Sequence, residues 1–336
     1  MGAGPLGIIA NPASGKDIRR LVAHASVFDN QEKRSIVRRA VLGAVAVGVD
    51  RFLYMPDPHR IVEEAIDGLG VDASFEAVDS PQTGSALDTT RSAALMREAG
   101  CALVLTLGGD GTNRAVAKGW RDVPLVAVST GTNNVFPAMV EGTIAGAAAG
   151  LIASGALALE EVAHGAKTVT VEVDGEEGDL ALVDAVLLRE PFVGARAVWH
   201  PARLETLVLA RADPSAVGLS AIGGLLSPLG DRDDAGLEVT VREGGEPLLV
   251  PIAPGLYDVV PVAGVRQLGL GEAVTVEGPG VLAFDGERER TLHAGQAARM
   301  RVCRDGPAVV DVALAMRMAA CRSLFWLRDG RGKDGD

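Results

Sequence analysis

LTLGGDGTNR, residues 105–114, decides how this chain is read. An apolar run, CALVLTL (101–107), passes through three glycines, one aspartate and one threonine into a helix-like pattern from Asn113. A strand feeding a helix in this way puts the loop at the carboxyl edge of a sheet, where open α/β folds bind ligands. Gly108, Gly109 and Gly111 allow positive φ and keep Cβ atoms out of the way of a phosphate chain. The start of the helix aims unpaired N–H groups at the same place. Asp110 is the odd member, because a carboxylate repels phosphate. It belongs there if it holds Mg²⁺, directly or through water, or if it accepts the proton of an attacking hydroxyl. The plain alternative is a helix cap by Asp110 or Thr112, worth about 1 kcal/mol. A cap, however, needs one such residue and not three glycines around it.

Upstream, short apolar runs alternate with helical patterns. LGIIA (6–10), RFLYM (51–55) and ASFEAV (73–78) read as strands, with helices over 30–47, 59–68 and 86–99 between them. PLVAVS (124–129) adds a fifth strand, and the Ala/Gly-rich stretch 143–159 reads as a buried helix. Such alternation implies right-handed crossovers and a parallel sheet. Beyond about residue 165 the pattern changes to short alternating runs punctuated by Gly, Pro and Asp: TVTVEVDG, ALVDAVLLRE, RLETLVLARAD, GLEVTVREGG, AVTVEGPG, VLAFDGERERTL and ARMRVCRDG. These predict a mostly antiparallel β-rich unit with one helical interruption at 214–226. The reading is therefore an α/β N-terminal domain with a parallel sheet over 1–160 and a β-rich acceptor and oligomerisation domain over 161–310. A helix over 311–328 returns to the first domain, and a disordered tail covers 329–336.

Composition narrows the function. With 336 residues, two domains are expected. A net charge of −12 argues against nucleic acid or an anionic membrane as partner, both of which need a basic footprint. The three cysteines fit neither a zinc spacing nor a disulfide framework, and no signal peptide or spanning stretch is evident, so a cytoplasmic protein is expected. The five histidines show no metal spacing. Arg19, Arg20, Lys33, Arg34, Arg38 and Arg39 form a local basic face, expected to be a solvated helix face.

Two further polar loops follow strands. NPASGKD (11–17) is not a Walker loop, since Asp17 stands where Ser or Thr is needed. Asn11 can still offer an amide, Ser14 and Gly15 backbone N–H groups, and Lys16 a mobile charge for phosphate; a simple β-turn is the alternative. In STGTNN (129–134), Gly131 and Thr132 turn the chain, and Asn133 or Asn134 can bond a hydroxyl, a base edge or a phosphate, unless they cap a helix from Val135. GAGPLG (2–7) imitates a dinucleotide fingerprint but precedes its strand and contains Pro5.

In the order and spacing of NPASGK, GGDGTNR and GTNN ahead of a β-rich unit, the sequence resembles the NAD kinase / diacylglycerol kinase superfamily. Within it, residues 16–44 and 214–224 are similar to the acetoin-catabolism X-type, ATP-NAD-kinase-like proteins. The resemblance implies a phosphotransferase with an alcohol acceptor: ATP or another donor at the glycine loop, Mg²⁺, and a hydroxyl of NAD(H) or a related metabolite between the domains. Asp110 would be base or metal organiser. Asn11, Ser14, Gly15, Lys16, Gly108, Gly109, Gly111, Thr112 and Asn113 would bind phosphate or nucleotide, and Thr132, Asn133, Asn134, Asp184 and Asp285 would face the acceptor. It also implies self-association through the β-rich domain. One departure stands out: Val183 occupies the position where NAD kinases carry Asn, with Asp184 kept. Asp285 could equally be a plain D-G hairpin residue. A non-catalytic nucleotide-binding regulator and a lipid kinase are the competing expectations.

Overall fold

The computed structural model describes residues 4–15, 29–131, 133–190 and 201–326. Thr132, residues 16–28 of the family-like segment 16–44 (Lys16 among them), and the expected tail at 329–336 lie outside them.

Five apolar runs become the parallel strands β1 (Leu6–Ala10), β2 (Arg51–Tyr54), β3 (Ser74–Ala77), β4 (Leu103–Gly108) and β5 (Pro124–Ser129). They are linked by helices α1 (Asn30–Ala46), α2 (Ile61–Ile66), α3 (Ala86–Glu98) and α4 (Asp110–Gly119); α5 (Gly142–Ala153) and the short α6 (Leu159–Val162) follow β5. The α1 and α3 N-termini are set by Asp29 and Ser85, whose side chains accept from Glu32 N–H and Leu87 N–H. Strand order is β3-β2-β1-β4-β5, extended by β17 (Ala308–Val310) parallel to β5 and then β6 (Ala163–Gly165) antiparallel to β17. The first sheet thus takes strands from both ends of the β-rich unit.

One face of this sheet buries Leu6, Ile8, Phe52, Leu103 and Leu105 against α1, α5 and the last helix, α8 (Val312–Cys321), which contributes Ala315 and Ala319. The Ala/Gly-rich stretch is a buried helix because α1 lies directly on it. A Cβ on Gly146 would stand 1.9 Å from Ala40 O. Among the described residues no helix is long and apolar enough to cross a membrane.

The β-rich unit holds two antiparallel sheets. One comprises β7 (Thr168–Val173), β8 (Asp179–Ala181), β13 (Ala273–Glu277) and β16 (Ala297–Cys303). The other runs β12-β11-β10-β9-β14-β15, from β9 (Asp184–Leu188), β10 (Leu204–Leu209), β11 (Ala235–Ala253), β12 (Leu256–Gly269), β14 (Gly280–Phe284) and β15 (Glu287–Leu292). Val169, Val171, Leu282, Phe284 and Met300 form the core between them. The helical interruption is shorter than expected, α7 (Leu219–Leu226), and begins after Gly218 at φ 96°. The sequence patterning missed the second half of β11 and the whole of β12. Pro247, Pro251 and Pro261 interrupt the alternation there; Pro261 sits on the edge strand β12, and Pro247 and Pro251 lie in the part of β11 beyond its pairing with β10.

Candidate active site

β2 lies on one side of β1 and β4 on the other, so the winding reverses between β1 and β4 and a crevice opens past their carboxyl ends. Asn11 and Asp110 stand at that point. Asn11 N–H donates to Leu107 O at 3.1 Å, and its Nδ2 donates to Thr112 Oγ1 at 2.9 Å, tying the first loop to α4. At the end of β5, Thr130 N–H reaches Gly108 O at 3.2 Å, and Thr130 Oγ1 donates to Ser14 Oγ at 3.1 Å. Three loops expected to converge therefore interlock through hydrogen bonds.

The first loop is built around a lysine that the sequence reading put on a solvated face. Lys33 is fully buried. Its Nζ donates to Ser14 O at 2.7 Å, Asn11 O at 2.9 Å, Pro12 O at 3.1 Å and Asn30 Oδ1 at 3.2 Å. Three carbonyls thus turn inward onto one ammonium, and the cation sits directly beneath the loop. Gly15, at φ 73°, makes the exit turn that a β-carbon would strain. No local signal betrays this role, since Lys33 follows Asn-Gln-Glu on an apparently polar helix face.

The glycine loop is tighter than anticipated. α4 begins at Asp110 rather than Asn113, with Gly109 as N-cap and no capping side chain. None of Gly108, Gly109 and Gly111 adopts positive φ. Close approach explains the first two: a Cβ on Gly108 would lie 2.5 Å from the Thr112 side chain, and one on Gly109 would lie 2.6 Å from Asn134 Oδ1. Gly111 is different. Its Cβ would meet only the Glu287 carboxylate, at 3.8 Å, and the residue is exposed.

Asp110 does not cap its own helix. Its Oδ1 accepts from Phe136 N–H at 2.8 Å and Val135 N–H at 3.1 Å, and Oδ2 shares the Val135 N–H at 3.1 Å. The segment after β5 is accordingly irregular, and no helix starts at Val135; α5 waits until Gly142. Burial, reinforced by the neighbouring charge of Asp285, pushes the Asp110 carboxyl up to about 6, against the pull of the two amides and of Arg211.

The β-rich unit supplies a matching construction. Asp285 and Gly286, at φ 51° and 77°, form the two-residue turn of the β14–β15 hairpin. The turn residue is also a buried acid. Asp285 Oδ1 accepts from the N–H groups of Val183 (2.8 Å), Leu182 (3.0 Å) and Asp184 (3.3 Å). Burial raises its pKa despite these donors and nearby Arg114. Asp184 is buried as well, and its Oδ1 accepts from Gly286 N–H at 3.2 Å. Val183 lies in the apolar core, its N–H directed to Asp285.

Arg114 joins the two units. It leaves α4 one turn after Asp110, donates Nε to Leu180 O at 2.6 Å, and pairs with Asp179 at 3.0 Å and Glu289 at 3.1 Å. Its guanidinium lies 4.8 Å from the Phe284 ring centroid. The i, i+4 spacing from Asp110 was the available signal, and the sequence reading passed over it.

Of the other anticipated residues, Thr112 and Asn113 are buried. Asn113 accepts from Thr106 Oγ1 at 2.7 Å and donates to Gly109 O at 2.9 Å, so its side chain braces the loop from behind. Asn134 donates to Ser129 Oγ at 2.7 Å and Gly131 O at 3.3 Å, and Asn133 is half-buried beside it. Among the described residues no three acidic, histidine or cysteine side chains are grouped to hold a metal ion. A hard cation fits here only with substrate oxygens completing its shell, the usual arrangement for Mg²⁺. Asp110 Oδ2 retains acceptor capacity for it.

Comparison with known proteins agrees with this layout. Residues 6–156 match the ATP-NAD kinase N-terminal domain family, and residues 167–305 match the acetoin catabolism protein X C-terminal domain family. Acetoin catabolism protein X of Cupriavidus necator is 40% identical over 335 residues, covering 95% of this chain and 93% of the relative. The chain belongs to the acetoin catabolism protein X family. Yeast NADH kinase, solved with NADH, superposes on this family member with a TM-score of 0.53 at 13% identity, covering 99% of this chain and 91% of the kinase. That likeness establishes an NAD kinase-like fold. A diacylglycerol kinase from Bacillus anthracis str. Sterne gives a TM-score of 0.48 at 13% identity, over 92% and 97% of the two chains.

Proposed function

We propose that this member of a kinase-like family is a phosphotransferase that moves the terminal phosphoryl group of ATP, or a related donor, to a hydroxyl of NAD(H) or a similar metabolite. The observation that supports it most is Asp110: a carboxylate at the start of α4, at the switch point of the sheet, opposite an acid of the other unit and raised to about 6. Phosphoryl transfer asks for positioning and charge stabilisation more than for covalent chemistry. Asp110 accepts the proton of the acceptor hydroxyl, a task suited to a base with a pKa near neutrality. The first amides of α4 and the loop over Lys33 receive the phosphates. The alternative role for Asp110 is to position Mg²⁺ with phosphate oxygens, where the ion would neutralise charge on the transferring group. The acceptor lies between Asp110 and the 182–184 turn.

The test is phosphoryl transfer from ATP with Mg²⁺ to NAD and NADH, read as NADP(H), beside Asp110→Ala. Product that disappears in the substituted protein supports the reading. A second reading, a nucleotide-binding regulator, is favoured by Val183, which puts an apolar core residue where NAD kinases use an amide. ATP binding without transfer to any hydroxyl acceptor tried would select it. Failure to bind ATP would overturn both.

A further inference from the structure

A second arginine, of the other unit, touches the segment that holds Asp110. Arg211, just past β10, lays its guanidinium 4.7 Å from the centroid of Phe136, and its Nη1 lies 3.4 Å from Val135 O. Val135 and Phe136 are the two residues whose N–H groups hold the Asp110 carboxylate. On its far side, Arg211 Nη2 pairs with Asp231 Oδ1 at 2.8 Å. Asp231 Oδ2 also pairs with His164 Nε2.

Asp231 is itself fixed. Buried Lys167 donates to Gly230 O and Ala235 O, each at 2.9 Å, and Arg304 Nη1 reaches Asp231 O at 3.1 Å. The 230–235 turn is thereby pinned to Lys167, in the link between β6 and β7. Arg211 is the only link in this series with a planar group against the Asp110-binding segment among the contacts described.

We propose that Arg211 is a positioning residue: pinned by Asp231, it clamps the Val135–Phe136 backbone so that its amides hold Asp110 in one orientation. This rests on the kinase reading for its consequence in turnover, but not for the clamp itself. The segment carries no regular structure of its own, and a planar cation that stacks on the ring while contacting the adjacent carbonyl fixes both the ring and the peptide plane. Lysine would keep the charge and lose the plane.

The experiment has two readouts on the intact chain. Hydrogen exchange at the Val135 and Phe136 amides, measured without ligand, should quicken at least tenfold in Arg211→Met, with β4 and β10 amides unchanged. Phe136→Leu, which keeps both N–H donors but removes the ring, should do the same and serves if Arg211→Met fails to fold. In turnover, Arg211→Met should lower kcat by about tenfold or more while the KM for ATP stays within twofold, and Arg211→Lys should recover part of kcat. Unchanged exchange at both amides in the folded variants overturns the clamp. Quickened exchange in a protein with no phosphoryl transfer supports the clamp and rejects the kinase reading instead.

Discussion

Gly111 separates a loop built for packing from a loop built for a ligand. Replacing Gly108 by Ala drives a Cβ to 2.5 Å from Thr112 Oγ1, the atom that accepts from Asn11. Thr112 is β-branched and buried, so it has little room to yield, and the substitution should cost about 1–3 kcal/mol. Gly111 has no such neighbour. Its nearest contact is a carboxylate at 3.8 Å, its φ is not positive, and it occupies the first turn of α4. Alanine there should be neutral, or stabilising by up to about 1 kcal/mol through helix propensity. The same methyl nevertheless projects from the helix end where phosphate is expected. Gly111→Ala should therefore keep its urea midpoint and lose at least about tenfold in ATP affinity, about 1.4 kcal/mol. Calorimetric titration and equilibrium unfolding on one preparation read both quantities. A Gly111→Ala protein that binds ATP as tightly as the parent would refute the placement of phosphate at this helix end.

Lys33→Met removes the donor shared by three loop carbonyls. Orphaning Pro12 O and Ser14 O, less the relief of a desolvated ammonium, gives an expected loss of about 2–4 kcal/mol by urea unfolding. Arg114→Met strands Asp179 and Glu289, although Lys118 at 3.1 Å still serves Asp179, so a loss of about 2–4 kcal/mol is expected by the same assay. For Asp110, the folded pKa of about 6 stands above the ordinary carboxylate value near 4. The fold thus favours the protonated acid: that stabilisation is complete below about pH 4 and is lost as pH rises through 6. Asp110→Asn keeps an acceptor for Val135 and Phe136 but cannot ionise. In EDTA it should exceed the parent by about 1–3 kcal/mol at pH 8 and match it near pH 4, and equal stability at both pH values would contradict the assigned shift.

The legible part of this molecule was the part encoded in consecutive residues. Strand, glycine turn and helix at 101–119 are neighbours in the chain, and periodicity with turn chemistry places them to within three residues. The D-G pair at 285–286 announced a hairpin, and the hairpin is there. What local pattern does not carry is the partner of a side chain. Lys33 looks solvated because its neighbours are polar, yet it meets carbonyls 19 to 22 residues upstream. Arg211 lies 76 residues from the carbonyl it touches, and Asp285 accepts from amides about a hundred residues away. The second half of β11 and all of β12 failed for the opposite reason: prolines at 247, 251 and 261 argue against strand until the pairing is known, which puts Pro261 on the edge and the other two beyond the contact with β10.

These distant contacts follow one plan. Asp110 is gripped by backbone amides of the 135–136 segment, and Asp285 by those of the 182–184 turn. Beside each acid an arginine crosses between units: Arg114 of α4 stacks on Phe284, the residue before Asp285, and Arg211 of the β-rich unit stacks on Phe136, whose amide holds Asp110. Each unit therefore supplies an acid and an arginine, and each arginine steadies the acid of the other unit. Two buried carboxylates, one of which raises the pKa of the other, would separate if the cleft were loose, relieving both the repulsion on Asp110 and the desolvation of each. The crossed arginines oppose that separation directly, because opening the cleft would break both stacks and re-expose both rings. A cleft held shut around both acids keeps the pKa of the Asp110 carboxyl near neutrality, the value the proposed base requires, and neither unit could do this alone.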